Sequence, residues 1–233
     1  RVMLDCGFSL KDVLSRLSRL MLHPSDLSAI LVTHEHADHV GGVARFARKY
    51  GLAVWLTHGT FKSLPGDMFA SIAIKLIDDH SIFSIDDLEI QPFPVPHDAR
   101  EPAQYVLGDG SRRLGVLTDV GVSTPHIEAT LCGCDALMLE SNHDSAMLRD
   151  GSYPPSLKHR VAGKFGHLDN DAAARLLSTL AHGKLQHVVA AHLSEENNRP
   201  GLVRAALSAA LNCEEAWIGV ADQENGIGWR MIA

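Results

Sequence analysis

The sequence lacks several things, and each absence narrows the reading. It has no apolar run near the roughly 20 residues that a membrane-spanning helix needs. A protein built on spanning helices is therefore not expected. Cysteine is scarce: Cys6, Cys132, Cys134 and Cys213 are the only four, and none forms C-x-x-C. Cys132-Gly-Cys134 is too tightly spaced for an ordinary zinc pair. This speaks against a cysteine-built zinc module, and scattered thiols of this kind fit a reducing compartment, so a cytoplasmic location is expected. Positive charge is not in excess either. Lys and Arg number 21 against 28 Asp and Glu, a net charge of −7. That is not the broad basic field of a typical nucleic-acid binder. Repeats, low-complexity tracts and linkers are absent, so residues 1–233 are expected to form one domain. The first residue is Arg1, directly before a strand-like Val2-Met3-Leu4, and the expectation is that residues are missing upstream.

What the chain has in plenty is histidine, 14 in 233 residues. Three fall in one stretch, residues 29–42, A-I-L-V-T-H-E-H-A-D-H-V-G-G. The apolar run Ala29–Val32 reads as a buried strand, and Val40–Tyr50 as a helix. His34, His36, Asp38 and His39 thus sit on a loop at the carboxyl end of a strand, where α/β sheets place ligand sites. Imidazole and carboxylate together suit divalent transition metals, with Zn, Mn or Fe all admitted. On such a loop His34 and His36 can hold one metal while Asp38 and His39 reach a second. Four ligands do not close two sites, because a catalytic zinc takes three protein ligands and an open position. The rest of the chain must supply more.

It does. His97, Asp119 and His192 each follow a strand-like run, Pro92–Pro96, Leu114–Thr118 and Val188–Ala191. Strands are also expected at Val2–Asp5, Ala53–Thr57, Ala73–Ile77, Ala136–Leu139, Ala216–Val220 and Gly228–Ile232. Helices are expected at Leu10–Leu22, Pro125–Leu131, Asp171–Leu180 and Pro200–Leu211, with a helical turn at Gly59–Leu64. Residues 145–168 read as loop and short helix. Strands and helices mix throughout, often as hairpins, which points to an α/β chain of mixed sheets covered by helices. Trp55, Trp217 and Trp229 are expected in the core. A polyanionic substrate is compatible with the negative net charge, since two bound metals add local positive charge.

The pattern H-x-H-x-D-H, followed by His97, Asp119 and His192 at strand ends, resembles the metallo-β-lactamase fold superfamily along essentially the whole chain. That resemblance implies a four-layer αββα sandwich, two mixed β-sheets flanked by helices, here lacking N-terminal strand. It implies two divalent metal ions. One takes His34, His36 and His97; the other takes Asp38, His39 and His192. Asp119 bridges them, with a shared water or hydroxide. Asp5 matches the superfamily's early Asp that braces the metal loop from outside the ligand set; read without the resemblance, it is a turn residue before Gly7.

A narrower resemblance lies in Leu139–Asp144, Gly151–Pro154, Leu157–Arg160, Gly166–Asn170 and Ala191–Asn198. These segments are similar to the YycJ (WalJ) branch, described as cytoplasmic bacterial exonucleases or related phosphodiesterases. Its members usually begin with a strand and a Ser-Gly-Ser-x-Gly-Asn loop, absent here. Lactamase activity is not implied, because those enzymes usually lack His at position 39 and many carry Cys at position 119. The RNA-processing branch needs a long insertion that the stretch 120–191 cannot contain.

The expected activity is thus a dinuclear metal-dependent phosphodiesterase, an exonuclease acting on DNA, with the metal-bridging hydroxide as nucleophile. Asp38 and Asp119 are catalytic as well as ligating. His143 and His167 are candidates to protonate a leaving group or hold a phosphate. Asn142, Lys158 and Arg160 are candidates for substrate contact, and Lys164 belongs to the same basic set; a solvated helix face explains that set equally well. The alternatives are a thioester or lactone hydrolase of the same fold, and a non-catalytic metal-binding protein.

Overall fold

Short apolar runs separated by helices set the architecture. The computed structural model describes all 233 residues. Their contacts group into two compact units, residues 1–94 with 99–103, and residues 95–98 with 104–233.

The first unit begins β1 (Val2–Leu4), α1 (Leu10–Arg19), β2 (Ala29–Leu31), α2 (Ala37–Val40), α3 (Val43–Tyr50), β3 (Ala53–Thr57), α4 (His58–Ser63) and β4 (Ile74–Ile77). The four strands form a sheet in the order β1-β2-β3-β4, every neighbouring pair parallel. The expectation of two mixed sheets therefore does not hold for this one. The reason is the helical segment after each strand, a crossover that returns the chain in the same direction. Helix α1 starts where Ser9 accepts a hydrogen bond from the Asp12 amide at 3.3 Å, and it turns Val13 and Leu17 inward. Those residues join Ile30, Val32, Phe46, Val54 and Leu56 in one buried cluster. The helix expected to run on from Val40 is broken at Gly41-Gly42 into α2 and α3. A hairpin completes the unit, β5 (Phe83–Ile85) paired antiparallel with β6 (Leu88–Pro94). Strand β5 has three residues and no alternation to announce it, so periodicity does not reveal it.

The second unit contains β7 (Ala103–Gly108, from Gln104 on), β8 (Arg113–Leu117), α5 (Pro125–Leu131), β9 (Ala136–Glu140), α6 (Ser145–Asp150), α7 (Pro155–Val161), α8 (Asn170–Leu180), β10 (His187–Ala191), α9 (Pro200–Leu211) and β11 (Gly219–Val220). Strands β8 to β11 are parallel neighbours in sequence order, and β7 joins β8 antiparallel, so this sheet is mixed. Helices α8 and α9 pack on each other. The Asp169 carboxylate starts α8 by accepting from the Ala172 amide at 2.6 Å.

The expected closing strand Gly228–Ile232 is not a strand. The chain end is tied down by side chains instead: Gln186 Nε2 donates to the Ala233 carbonyl at 2.8 Å, and Gln186 Oε1 accepts from the Ala233 amide at 2.8 Å. Trp229 is 63% exposed and Trp217 40%, so neither is a core residue. Of Ala216–Val220 only Gly219–Val220 is strand, and Glu215–Trp217 is a 3₁₀ turn.

Candidate metal centre

Parallel strands level their carboxyl ends, and the candidate residues sit on those ends. In the first unit Leu4 pairs with Leu31, so Asp5 leaves the sheet beside the loop after β2. The Asp5 amide donates to the Leu31 carbonyl at 2.8 Å. Its carboxylate then accepts from the Thr33 amide (2.8 Å) and the Thr33 hydroxyl (2.8 Å), and receives His39 Nδ1 at 2.7 Å. Thr33 Oγ1 also meets His34 Nδ1 at 3.0 Å. The network therefore assigns the ring protons of His34 and His39 to Nδ1, so that Nε2 is the acceptor nitrogen of each ring. His34 and His39 are buried, His36 is half-buried and Asp38 is exposed. The rings are gathered: His34 lies 4.5 Å from His36 and 4.1 Å from His39, centroid to centroid. Asp38 Oδ2 is 3.4 Å from His39 Nε2.

In the second unit the central strand carries the key group. Register places Leu139 of β9 beside Leu117 of β8, and Glu140 of β9 beside Ala191 of β10. Asp119, Glu140 and His192 thus share one edge. Glu140 is fully buried. Its Oε1 accepts from His192 Nδ1 (2.8 Å), His167 Nδ1 (2.9 Å) and the Asp119 amide (3.0 Å). Its Oε2 accepts from the Val120 and Leu168 amides, both at 3.0 Å. Burial alone would raise the Glu140 pKa, but the hydrogen bonds and charge of His167 and His192 outweigh it and hold the carboxyl well below its usual range. Oxygen and nitrogen atoms of Asp119, Glu140, His167 and His192 lie within 4.8 Å of one another. Asp119 Oδ1 is 3.5 Å from His192 Nε2, 3.8 Å from His97 Nε2 and 3.9 Å from His167 Nδ1. His97 Nδ1 meets the Gly166 carbonyl at 3.2 Å, and burial, the largest influence, lowers the His97 pKa.

Three of these strand ends share a backbone device. Asp5 (φ 55°), Asp119 (φ 51°) and His192 (φ 57°) all adopt the left-handed conformation. Non-glycine residues there pay about 1 kcal/mol or more.

Glu140 has no assigned part in the sequence reading. It falls within the segment Leu139–Asp144 quoted for the narrower resemblance, and otherwise it is a carboxylate closing the apolar run Ala136–Leu139, which periodicity treats as a strand end. His143 is buried, and that burial keeps its pKa below the ordinary histidine range. Its carbonyl accepts from the Asn170 amide at 2.9 Å. A cavity of about 360 Å³ opens beside His167, lined among others by Asp98, Asn142, Tyr153, Arg160 and Ser194. Arg160 Nε donates to Asp98 Oδ2 at 2.6 Å. Lys158 does not line this cavity, and its ammonium donates to the Arg149 carbonyl at 2.8 Å.

The donor set fits divalent metal. His34, His39, His97 and His192 each have Nδ1 held by a hydroxyl, carboxylate or carbonyl, the arrangement that orients imidazole Nε2 toward a metal. Fold and donors together define a metal-dependent hydrolase of metallo-β-lactamase fold. The chain belongs to the β-lactamase superfamily domain family, whose model matches residues 1–192. Exodeoxyribonuclease YycJ of Bacillus anthracis is 35% identical over 228 residues, covering 95% of this chain and 84% of the relative. Exodeoxyribonuclease WalJ of Streptococcus pneumoniae is 30% identical over 224 residues, covering 94% and 83%. Among solved structures, Zn²⁺-bound PqqB from Methylobacterium extorquens superposes with a TM-score of 0.73 at 19% identity, covering 99% of this chain and 83% of that one. The metallo-β-lactamase fold protein YhfI from Bacillus subtilis gives 0.72 at 17%, covering 98% and 86%. These two likenesses establish the fold.

Proposed function

We propose that the chain is a dinuclear metal-dependent phosphodiesterase that degrades DNA as an exonuclease in the cytoplasm. The proposed ligands are the seven of the superfamily pattern: His34, His36 and His97 for one ion, Asp38, His39 and His192 for the other, and Asp119 for both. When bound, two divalent ions supply Lewis acidity at phosphorus and bring a water's pKa toward neutrality.

The observation that most supports a phosphodiester substrate is the placement of His167. Glu140 holds its Nδ1 at 2.9 Å, so the imidazole is oriented, yet it is not one of the seven ligands. It lines the cavity with Asn142 and Arg160. We assign to His167 Nε2 the transfer of a proton to the departing oxygen of the cleaved ester. Asn142 and Arg160 are the proposed substrate contacts. Asn142 is itself fixed, since its Nδ2 donates to the His192 carbonyl at 3.0 Å. Identity of 35% to an exodeoxyribonuclease across nearly the whole chain supports DNA as the substrate.

The test is an activity panel with Zn²⁺ or Mn²⁺: bis-p-nitrophenyl phosphate, single- and double-stranded DNA, RNA, a thioester and a lactone. Turnover of DNA with release of mononucleotides is expected. Turnover of the lactone or thioester alone would replace the proposal with the acyl-hydrolase reading. Tight binding of two metals with no turnover of any substrate would favour a non-catalytic protein.

A further inference from the structure

The phosphodiesterase reading leaves one conspicuous side chain beside His167 without a part. Phe165 is 61% exposed. An exposed apolar residue standing alone on a surface is ordinary. Phe165 differs because its backbone is clamped. The Phe165 carbonyl accepts from the Asp98 amide at 3.0 Å, the Gly166 amide donates to the Gly163 carbonyl at 2.9 Å, and the His167 amide donates to the Val161 carbonyl at 2.9 Å. On another flank Gly121 packs so closely that a Cβ there would lie 2.3 Å from the Lys164 carbonyl. These bonds fix the backbone that carries the exposed ring.

The neighbourhood has the right chemistry for a strand of nucleic acid. Lys164 is exposed, directly before Phe165. Val122, next to Gly121, is 40% exposed. Gly166 and His167, which follow Phe165, line the cavity. With a net charge of −7 the molecule has no general field to hold a polyanion, so local contacts must do it.

We infer that Phe165 is a stacking platform for an unpaired nucleobase of the substrate, with Lys164 contacting the phosphate of the same nucleotide. This rests on the phosphodiesterase reading and deepens it, because the substrate must be single-stranded where the base meets the ring. Every base has a π-face, so such a platform serves an enzyme that cuts without sequence preference.

The test measures binding of the metal-loaded full chain to fluorescent single-stranded oligonucleotides with phosphorothioate linkages, which resist cleavage. A set with one abasic residue placed in turn along the terminal nucleotides maps the stacked base. Phe165→Ala and Phe165→Leu should each weaken binding about ten-fold, and Phe165→Trp should restore it. At one abasic position the wild type should fall to the level of Phe165→Ala, which should lose nothing further. The inference is overturned if Phe165→Ala binds as the wild type does, if Phe165→Leu binds equally well, or if the loss is the same at every abasic position. It is also overturned if Phe165→Ala alters only self-association. A wild type that neither binds nor cleaves nucleic acid would bring down the phosphodiesterase reading itself, a result distinct from an active nuclease indifferent to Phe165.

Discussion

At the scale of single residues, carboxylates do two different jobs. Asp119 reaches toward the nitrogens of His97 and His192, whereas Asp5 and Glu140 hold rings from behind. Asp119→Ala should abolish turnover and lower the metal content of purified protein, read by elemental analysis. Unchanged activity would refute the assignment of Asp119 to the metals. Glu140→Gln should behave differently. Gln keeps the volume but loses the charge and presents an NH₂ group where two imidazoles and three backbone amides donate. Metal affinity should fall about 10- to 100-fold, and stability by about 2–3 kcal/mol, from the lost charge-assisted hydrogen bonds. Competition against a chelating dye and urea denaturation measure the two. Wild-type affinity in Glu140→Gln would show that the brace is not needed to orient His192.

At the scale of elements, strand ends and the loops after them decide the geometry. The turn after β1 is held against α2 by close backbone approach. A Cβ at Gly7 would lie 1.7 Å from the Asp38 carbonyl oxygen, so α2 sits directly on the turn that follows Asp5. Gly7→Ala must push α2 away and carry Asp38 and His39 with it. The expected cost is about 2 kcal/mol or more, in the range of an overpacked interior, with activity reduced at least ten-fold. Thermal melting and initial rates test both; a variant with wild-type stability would mean that the turn has slack which the 1.7 Å approach denies.

At the scale of the whole molecule, no helix is long and apolar enough to cross a membrane. The four cysteines are free thiols, with Cys6 and Cys134 buried. Burial, with smaller help from Asp5 at Cys6, pushes these two thiols from 9.0 up to about 11. The folded state therefore holds each proton more tightly than the unfolded chain does. Their contribution is fully present below pH 9 and is lost as pH rises from there through about 11. Each thiol should remove on the order of 2–3 kcal/mol across that window. Denaturant midpoints at pH 8 and pH 10.5 should show the fall, and Cys134→Val should lessen it. The same slope in wild type and Cys134→Val would assign the alkaline loss to other groups.

Read by itself, the chain marked out the candidate metal ligands, because His-x-His-x-Asp-His after an apolar run is a local pattern and each further candidate, His97, Asp119 and His192, also marks a strand end. It determined most strands and helices for the same reason, since their periodicity is local. Tertiary structure alone decided the rest. Glu140 became the hub of the second unit only through the parallel register of β8, β9 and β10, which no spacing along the chain records. The parallel course of the first sheet depended on which strands paired, and β5 existed only through its partner β6. Trp217 and Trp229 were apolar by composition but exposed by position. Periodicity reports what one element needs to bury, whereas pairing and clamping depend on segments far apart in sequence, and these placed Glu140 behind its histidines and fixed the backbone that carries Phe165.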